Sequence, residues 1–339
     1  MTGKLGLGII GLGMASLPHA RALLALRDRI DTLHAFSPTA ERRAAFAKTH
    51  GLPVTDTMEA IFSDPRVDAV LVLTPPNTHL EIVQMAAAAG KHVLLEKPLD
   101  VSIERAEQLV AVAEAAGITL GIVLQNRFRP AAQELRKLIS EGRLGRLVHV
   151  SARTSYWRPQ SYYDEPGRGT LARDGGGVLL TQAIHNLDLM ISLIGVPETV
   201  TGFVATSPVH VMEGEDVAAA ALRFSDGALG SITATTCAFP GHADVIDLIG
   251  EKGSASLNGT QLTVRLHDGT NIDFEGTDTG SGTGADPMGF SSQAHQALIA
   301  DFADAIADGR KPAASGRDVL AVHYLIAAIL KSGGEPVRL

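Results

Sequence analysis

The N-terminal run LGLGIIGLGMAS, residues 5–16, carries two overlapping glycine patterns. A search for G-x-G-x-x-G finds Gly6, Gly8 and Gly11, but Leu5 to Ile10 reads as a buried strand that would hold the first two in its interior. The register that makes physical sense is Gly11, Gly13 and Ser16. There the turn follows the strand, the backbone can approach a pyrophosphate, and the helix starting at Ser16 offers its first amides. Ser16 replaces the usual third Gly or Ala and is still small enough for close helix packing. Met14 and Ala15 join Gly11 and Gly13 as expected cofactor contacts.

Outward from that turn, short apolar runs alternate with helical patterns, the rhythm of a parallel sheet with crossover helices. Ser16 to Leu26 reads as a helix, Thr32 to Phe36 as a strand and Thr39 to Thr49 as a helix; Ala69 to Leu73, His92 to Leu95 and Thr119 to Leu124 read as further strands. The helices Thr78 to Ala89 and Val101 to Ala116 each end at a glycine, Gly90 and Gly117, which carries the left-handed residue without steric cost. Right-handed crossovers then give a doubly wound Rossmann domain over residues 1–125. Beyond Asn126 the rhythm changes. Ala131 to Glu141 and Val178 to Leu193 read as helices and Leu147 to Thr154 as a strand; β-rich runs from Thr199 to Leu266 are separated by turn dipeptides such as Asp226-Gly227 and Asn258-Gly259. Residues 126–339 are therefore expected to form an α+β domain with a mostly antiparallel sheet. Gly276 to Gly284 reads as a mobile loop, and the helices Gln293 to Ala307 and Arg317 to Lys331 close the chain, with room to pack back on the first domain.

Composition bounds the function. The 339 residues carry 45 % hydrophobic and 19 % charged side chains, which suits a soluble globular protein of about two domains. A formal net charge of -8 offers no basic field for a nucleic-acid backbone. The single cysteine, Cys237, excludes an internal disulfide and a thiolate-rich metal site and suits a cytoplasmic setting. His, Asp and Glu show no tight ligand spacing, so no metal is expected. A fold beginning near residue 4 leaves no room for a cleavable leader, and Val178 to Ile194 is interrupted by Gln182, His185, Asn186 and Asp188, so no membrane partner is expected either.

At the end of the second strand, the carboxylate that would hold the ribose hydroxyls of NAD is missing from Phe36-Ser37-Pro38-Thr39. Ser37 and Thr39 hydroxyls with Arg42 one turn later can instead take a 2′-phosphate, so NADP is expected in preference to NAD, with NAD use left open. The third strand ends in Thr74-Pro75-Pro76-Asn77-Thr78-His79 and the fourth in Glu96-Lys97-Pro98, at the carboxyl ends where such sheets bind ligands. Gly175-Gly176-Gly177 precedes a helix on which Thr181, His185 and Asp188 share one face at spacings of four and three.

The G-x-G turn, the T-P-P-x-x-H segment, the E-K-P tripeptide and the triple glycine followed by His185 together resemble the Gfo/Idh/MocA family, the glucose-fructose oxidoreductase, inositol dehydrogenase and MocA proteins. The resemblance runs in order along essentially the whole chain. It implies a Rossmann domain, a C-terminal α/β domain with an open sheet, NAD(P)-dependent chemistry on a sugar-like alcohol or carbonyl, and a homodimer or homotetramer. The segment Ser37 to Arg43 looks most like the NADP-using anhydrofructose reductases of that family. The resemblance implies that Thr74, Pro75, Asn77, His79, Glu96, Lys97 and Asn126 face the cofactor, and that Lys97 is the catalytic lysine. An ammonium there stabilises alkoxide charge or polarises the carbonyl in reverse, and His185 is the matching proton donor and acceptor.

Arg127, Tyr156, Trp157, Arg158 and Thr181, with Lys97 and His185, are the expected substrate contacts; His295, before the closing helix, is a further candidate. Thr181 stands where many sugar-oxidising relatives carry aspartate, and it cannot hold negative charge, which puts a polyol substrate such as inositol in doubt. Two other readings stay open: a reductase of a non-sugar compound such as a dihydrodiol, imine or linear tetrapyrrole, and a nucleotide-sensing protein without turnover. Retained Lys97 and His185 argue against the second.

Overall fold

The computed structural model describes residues 3–276, 282–285 and 291–339. Two compact units emerge, one of Met1–Gln125 with Ser291–Leu320, the other of Asn126–Phe290 with Ala321–Leu339. Of the Gly276 to Gly284 stretch, residues 277–281 lie outside the described residues.

The first unit is a parallel five-stranded sheet of β1 (Leu5–Ile10), β2 (Ile30–Phe36), β3 (Ala69–Val72), β4 (His92–Leu95) and β5 (Leu120–Ile122), in the order β2-β1-β3-β4-β5. Its connections carry α1 (Ser16–Ala25), α2 (Ala40–His50), α3 (Glu59–Ser63), α4 (His79–Ala88) and α5 (Ile103–Ala115). β1 and β3 are buried at every position, as strands covered on both faces must be. Gly6 and Gly8 lie inside β1, and a Cβ on them would meet Arg66 O at 1.8 Å and Ile61 Cγ2 at 2.4 Å. Close packing of α3 and the loop after it is therefore what these two glycines serve, and the glycine turn begins only at Gly11. The short α3 carries too little pattern to be read from sequence.

The second unit holds α6 (Pro130–Ser140), α7 (Gln160–Tyr163), α8 (Leu171–Asp174) and α9 (Ile184–Ile194). Its nine-stranded sheet comprises β6 (Leu147–Ser155), β7 (Thr199–Ala205), β8 (Val217–Arg223), β9 (Leu229–Thr235), β10 (Val245–Gly250), β11 (Gly253–Asn258), β12 (Gln261–Leu266), β13 (Asn271–Phe274) and β14 (Val337–Arg338). The order is β13-β12-β11-β10-β6-β9-β8-β7-β14, and every pairing is antiparallel except β6 with β9. Gly227 and Gly259, both at positive φ, close the two hairpins whose dipeptides signalled them. The chain ends in α10 (Gln293–Asp308), in the first unit, and α11 (Gly316–Ser332), which begins in the first unit and continues into the second.

Among the described residues, one helical run, Leu171–Ile194, is long and apolar enough to cross a bilayer, and most of it is buried as a core element. Its first turns are not uniform: Leu179–Ala183 is π-helical before α9 begins.

Candidate active site

In the first unit the glycine turn has the geometry its spacing called for. Gly11 sits at φ +103°, and a Cβ there would meet Leu73 C and O at 2.8 Å, so no other residue fits without moving β3. Gly13 has open space where its Cβ would stand, which is room for a pyrophosphate beside the first amides of α1. Ser16 turns its hydroxyl inward and donates to Gly13 O at 2.7 Å, holding the turn against the helix. Met14 remains exposed at the rim and Ala15 half-buried.

Lys97 leaves the carboxyl end of β4 in a loop clamped from three sides. Its peptide bond to Pro98 is cis. Glu96 Oε2 accepts from the Lys97 backbone amide at 3.0 Å, and Glu96 Oε1 meets Nε2 of fully buried His19, on α1, at 3.1 Å. Burial pushes the Glu96 carboxyl up, but the His19 bond and the charges of His19, Lys97 and His295 outweigh it and pull it down to about 2. His295 lies inside α10, buried, with its ring edge-on to His19 at 4.9 Å.

His79, expected at the cofactor, is wholly buried behind the loop. Its Nδ1 faces Pro98 O and Leu99 O at 3.0 and 3.1 Å and its Nε2 faces Thr74 O at 2.9 Å, so the ring ties the loop after β3 to the loop after β4. Burial lowers its pKa, so a neutral ring donates on one side of this tie and only packs against the carbonyl on the other. Asp100, which the sequence did not single out, completes the clamp: its carboxylate accepts from Leu80 N, Val101 N and Arg105 Nε. Thr74 receives the Thr78 hydroxyl at 2.8 Å, while Pro75 and Asn77 are exposed at the strand end.

The loop after β2 uses its polar groups on itself. Ser37 is buried, and its hydroxyl lies 3.4 Å from Thr39 N. Arg43, not Arg42, folds back, donating to Ser37 O at 2.6 Å and Pro38 O at 3.3 Å; Arg42 is exposed on α2.

In the second unit, the helix bearing His185 is anchored by its neighbours. Asn186 donates to Arg153 O and Val245 O, at 3.1 and 3.3 Å, and Asp188 takes Arg127 bidentately at 2.6 and 2.7 Å. These bonds set the rotation of α9 and leave His185 half-buried. Thr181 sits in the π-helical turn, donating to Gly177 O at 2.6 Å and contacting Gln182; such turns are frequent at functional sites. The triple glycine permits a close approach of chains: a Cβ on Gly177 would meet Glu215 O at 1.8 Å. Glu215 then caps the helix start, accepting from Gly177 N and Leu179 N at 2.9 Å, though burial raises its pKa.

Several expected substrate contacts are engaged elsewhere within this unit. Arg127 is paired with Asp188. Tyr156 donates to buried Asp244 at 2.7 Å, and burial raises the pKa of both groups. Arg158 is buried and donates to Trp157 O, Gly282 O and Gly284 O. Trp157 is half-buried against Phe239, and its amide donates to Thr283 O. The aromatic cluster before the triple glycine is thus largely a loop core. Asn126 is buried, and its side-chain Oδ1 lacks a hydrogen-bond partner among the described residues.

Comparison with known proteins agrees with this arrangement. Residues 5–123 match the oxidoreductase family with an NAD-binding Rossmann fold, and residues 132–256 the GFO/IDH/MocA C-terminal domain. The chain is 31 % identical over 274 residues to a myo-inositol 2-dehydrogenase of Thermotoga maritima, covering 77 % of this chain and 78 % of that one. The structure of the WlbA dehydrogenase from Bordetella pertussis in complex with NADH and UDP-GlcNAcA superposes with a TM-score of 0.84 at 28 % identity, over 99 % of each chain. A second WlbA dehydrogenase, from Chromobacterium violaceum and also in complex with NADH and UDP-GlcNAcA, gives 0.85 at 28 % identity over 100 % of this chain and 97 % of that one.

The NADH in these two structures overturns the NADP preference expected from Ser37, Thr39 and Arg42. The physical reason lies in the loop after β2, where one hydroxyl is buried and the arginine that turns inward is spent on backbone carbonyls. The chain belongs to the Gfo/Idh/MocA family and is an NAD(P)-dependent oxidoreductase that moves hydride between nicotinamide and a sugar-like alcohol or carbonyl.

Proposed function

We propose that this enzyme is an NAD-dependent dehydrogenase of a carbohydrate or carbohydrate-derived alcohol, with Lys97 and His185 as its catalytic pair. The observation that carries the reading is the clamped loop at the end of β4, where Glu96, His79 and Asp100 hold the backbone around Lys97. So much fixing of one loop is expected where a single ammonium must meet a reacting oxygen. Gly11, Gly13, Met14 and Ala15 would hold the pyrophosphate, with Thr74, Pro75 and Asn77 beside the rest of the nucleotide. Bound NAD supplies the hydride acceptor. Lys97 stabilises negative charge on the substrate oxygen, His185 takes the hydroxyl proton, and both act in reverse when a carbonyl is reduced. Thr181 hydrogen-bonds the substrate without adding charge to that exchange.

The test is kinetic. Lys97→Ala and His185→Ala should each lower turnover at least ~10²-fold on a substrate drawn from a sugar and nucleotide-sugar panel. NADH binding, followed by nicotinamide fluorescence, should persist in both. Near-normal turnover in either variant would remove that residue from the mechanism, and tighter binding of NADPH than NADH would overturn the cofactor assignment.

The second unit, residues 126–339 in the sequence reading, is assigned to substrate binding and self-association. Strand register puts Phe203, Ala219, Leu229 and Ile249 on one face of the nine-stranded sheet, and the three large side chains are exposed. A homo-oligomer would cover that face, and Phe203→Glu should dissociate it in sedimentation experiments. The lone cysteine suits a reducing cytoplasm.

A further inference from the structure

In the second unit, apart from the groups assigned to hydride transfer, residues distant in sequence converge on one carboxylate oxygen. Asp216 Oδ2 lies 2.8 Å from His210 Nδ1, 3.2 Å from Cys237 Sγ and 2.7 Å from Ser207 Oγ. The sulfur is also 3.7 Å from His210 Nδ1 and 3.3 Å from Ser207 Oγ. His210 and Asp216 are buried and Cys237 is half-buried. His210 and Cys237 are 6 and 21 residues from Asp216, so local ligand spacing gave no hint of the cluster.

The hydrogen count calls for one more positive group. His210 Nε2 lies 2.8 Å from the backbone oxygen of Arg158, which only accepts, so Nε2 carries the ring hydrogen. In a neutral ring Nδ1 then turns a lone pair on Asp216 Oδ2 at 2.8 Å, and two acceptors face each other. Either a second ring proton or a cation must join them.

The ligand chemistry selects the cation. One thiolate, one carboxylate and a neutral imidazole around a divalent ion sum to zero charge, the arrangement a buried cluster tolerates best. Tetrahedral zinc takes sulfur at about 2.3 Å and nitrogen or oxygen at about 2.0–2.2 Å, which sets ligand-to-ligand edges of roughly 3.3–3.6 Å. The separations of 2.8, 3.2 and 3.7 Å straddle that range, so His210 and Asp216 need part by about half an ångström and Asp216 and Cys237 by about 0.3 Å. The bond from Nε2 to Arg158 O is the outer contact that orients a histidine ligand.

We propose that His210, Asp216 and Cys237 bind a divalent cation of the zinc class, with the Ser207 hydroxyl or a water at the fourth corner. Binding displaces the thiol proton and the second ring proton of His210, both of which leave to solvent, and ties the loop from Ser207 to Asp216 to the chain just after β9.

Cobalt(II) reports the site directly. The full-length protein, stripped with chelator and kept reduced, should take up one equivalent of Co²⁺ with a thiolate charge-transfer band in the near ultraviolet and the visible bands of a tetrahedral ion, and Zn²⁺ should abolish both. Cys237→Ser, nearly isosteric, should lose the charge-transfer band, and His210→Ala should weaken binding at least ~10-fold. In the unmodified protein, Zn²⁺ should slow labelling of Cys237 by a disulfide reagent at least ~10-fold. Absence of the band at tenfold Co²⁺ excess, together with labelling that zinc leaves unchanged, would overturn the proposal and leave a protonated His210 against Asp216. Cobalt bands that persist in Cys237→Ser would equally overturn it, because the ion would then lie elsewhere.

Discussion

β3 and β8 are both built from small aliphatic residues, AVLV and VAAAALR, yet they meet opposite surroundings. All four residues of β3 are buried, whereas β8 alternates, with Ala218, Ala220 and Leu222 inside and Val217, Ala219, Ala221 and Arg223 outside. A parallel strand is covered on both faces by its crossover helices; an antiparallel strand needs cover on one. The lesson extends to function. In the first unit the proposed chemistry sits on loops at strand ends, since the faces are taken, while in the second it is proposed on a helix and the sheet keeps an exposed face.

The sharpest way to break this division is to disturb one glycine in each unit. Gly177→Ala would drive a methyl into Glu215 O and displace the segment carrying Thr181 and His185; turnover should fall by about 10²-fold with NADH affinity within about twofold. Gly11→Ala should do the reverse, weakening NADH in fluorescence titration at least ~10-fold. Equal effects of the two changes on cofactor binding would contradict the assignment of the cofactor to the first unit.

Stability offers the next contrast. Leu71→Ala, at a fully buried position of β3, should cost about 2–5 kcal/mol in denaturant unfolding. Phe203→Ala, on the outer face of β7 at 67 % exposure, should change subunit stability by no more than about 0.5 kcal/mol, its effect appearing in assembly. A large loss at Phe203 in the dissociated subunit would mean that the outer face is core after all.

Acid titration gives a smaller signal. The Glu96 carboxyl falls from an ordinary 4.5 to about 2 in the fold, so it contributes stability above pH 4.5 that is lost as pH falls toward 2. Glu96→Gln should flatten acid unfolding in that window, and an unchanged profile would show that the contact with His19 contributes nothing.

Much of the candidate site was legible because its signals are local. Gly11 and Gly13 announce a turn that must follow a strand, and Glu96-Lys97-Pro98 announces a strand end. The substrate list fared differently. Arg127, Tyr156 and Arg158 were expected at the substrate, but their partners are Asp188, Asp244 and the backbone of residues 282–284, from 61 to 126 positions away. Likewise, Arg42 and Arg43 are neighbours in sequence, and only helix rotation selects the one that turns back to the loop.

Periodicity, glycine placement and strand-end chemistry were enough to specify two sheets of different kinds, a nucleotide turn and the lysine and histidine proposed for catalysis. Each of these depends on backbone preferences over a few residues, which the chain carries with it wherever it folds. Tertiary packing alone decided that His79 and Asp100 serve the lysine loop, that Arg127 belongs to Asp188, and that His210, Asp216 and Cys237 meet. A buried polar group takes whichever partner the fold brings within about 3 Å, and desolvation makes that choice obligatory without leaving a pattern in the sequence.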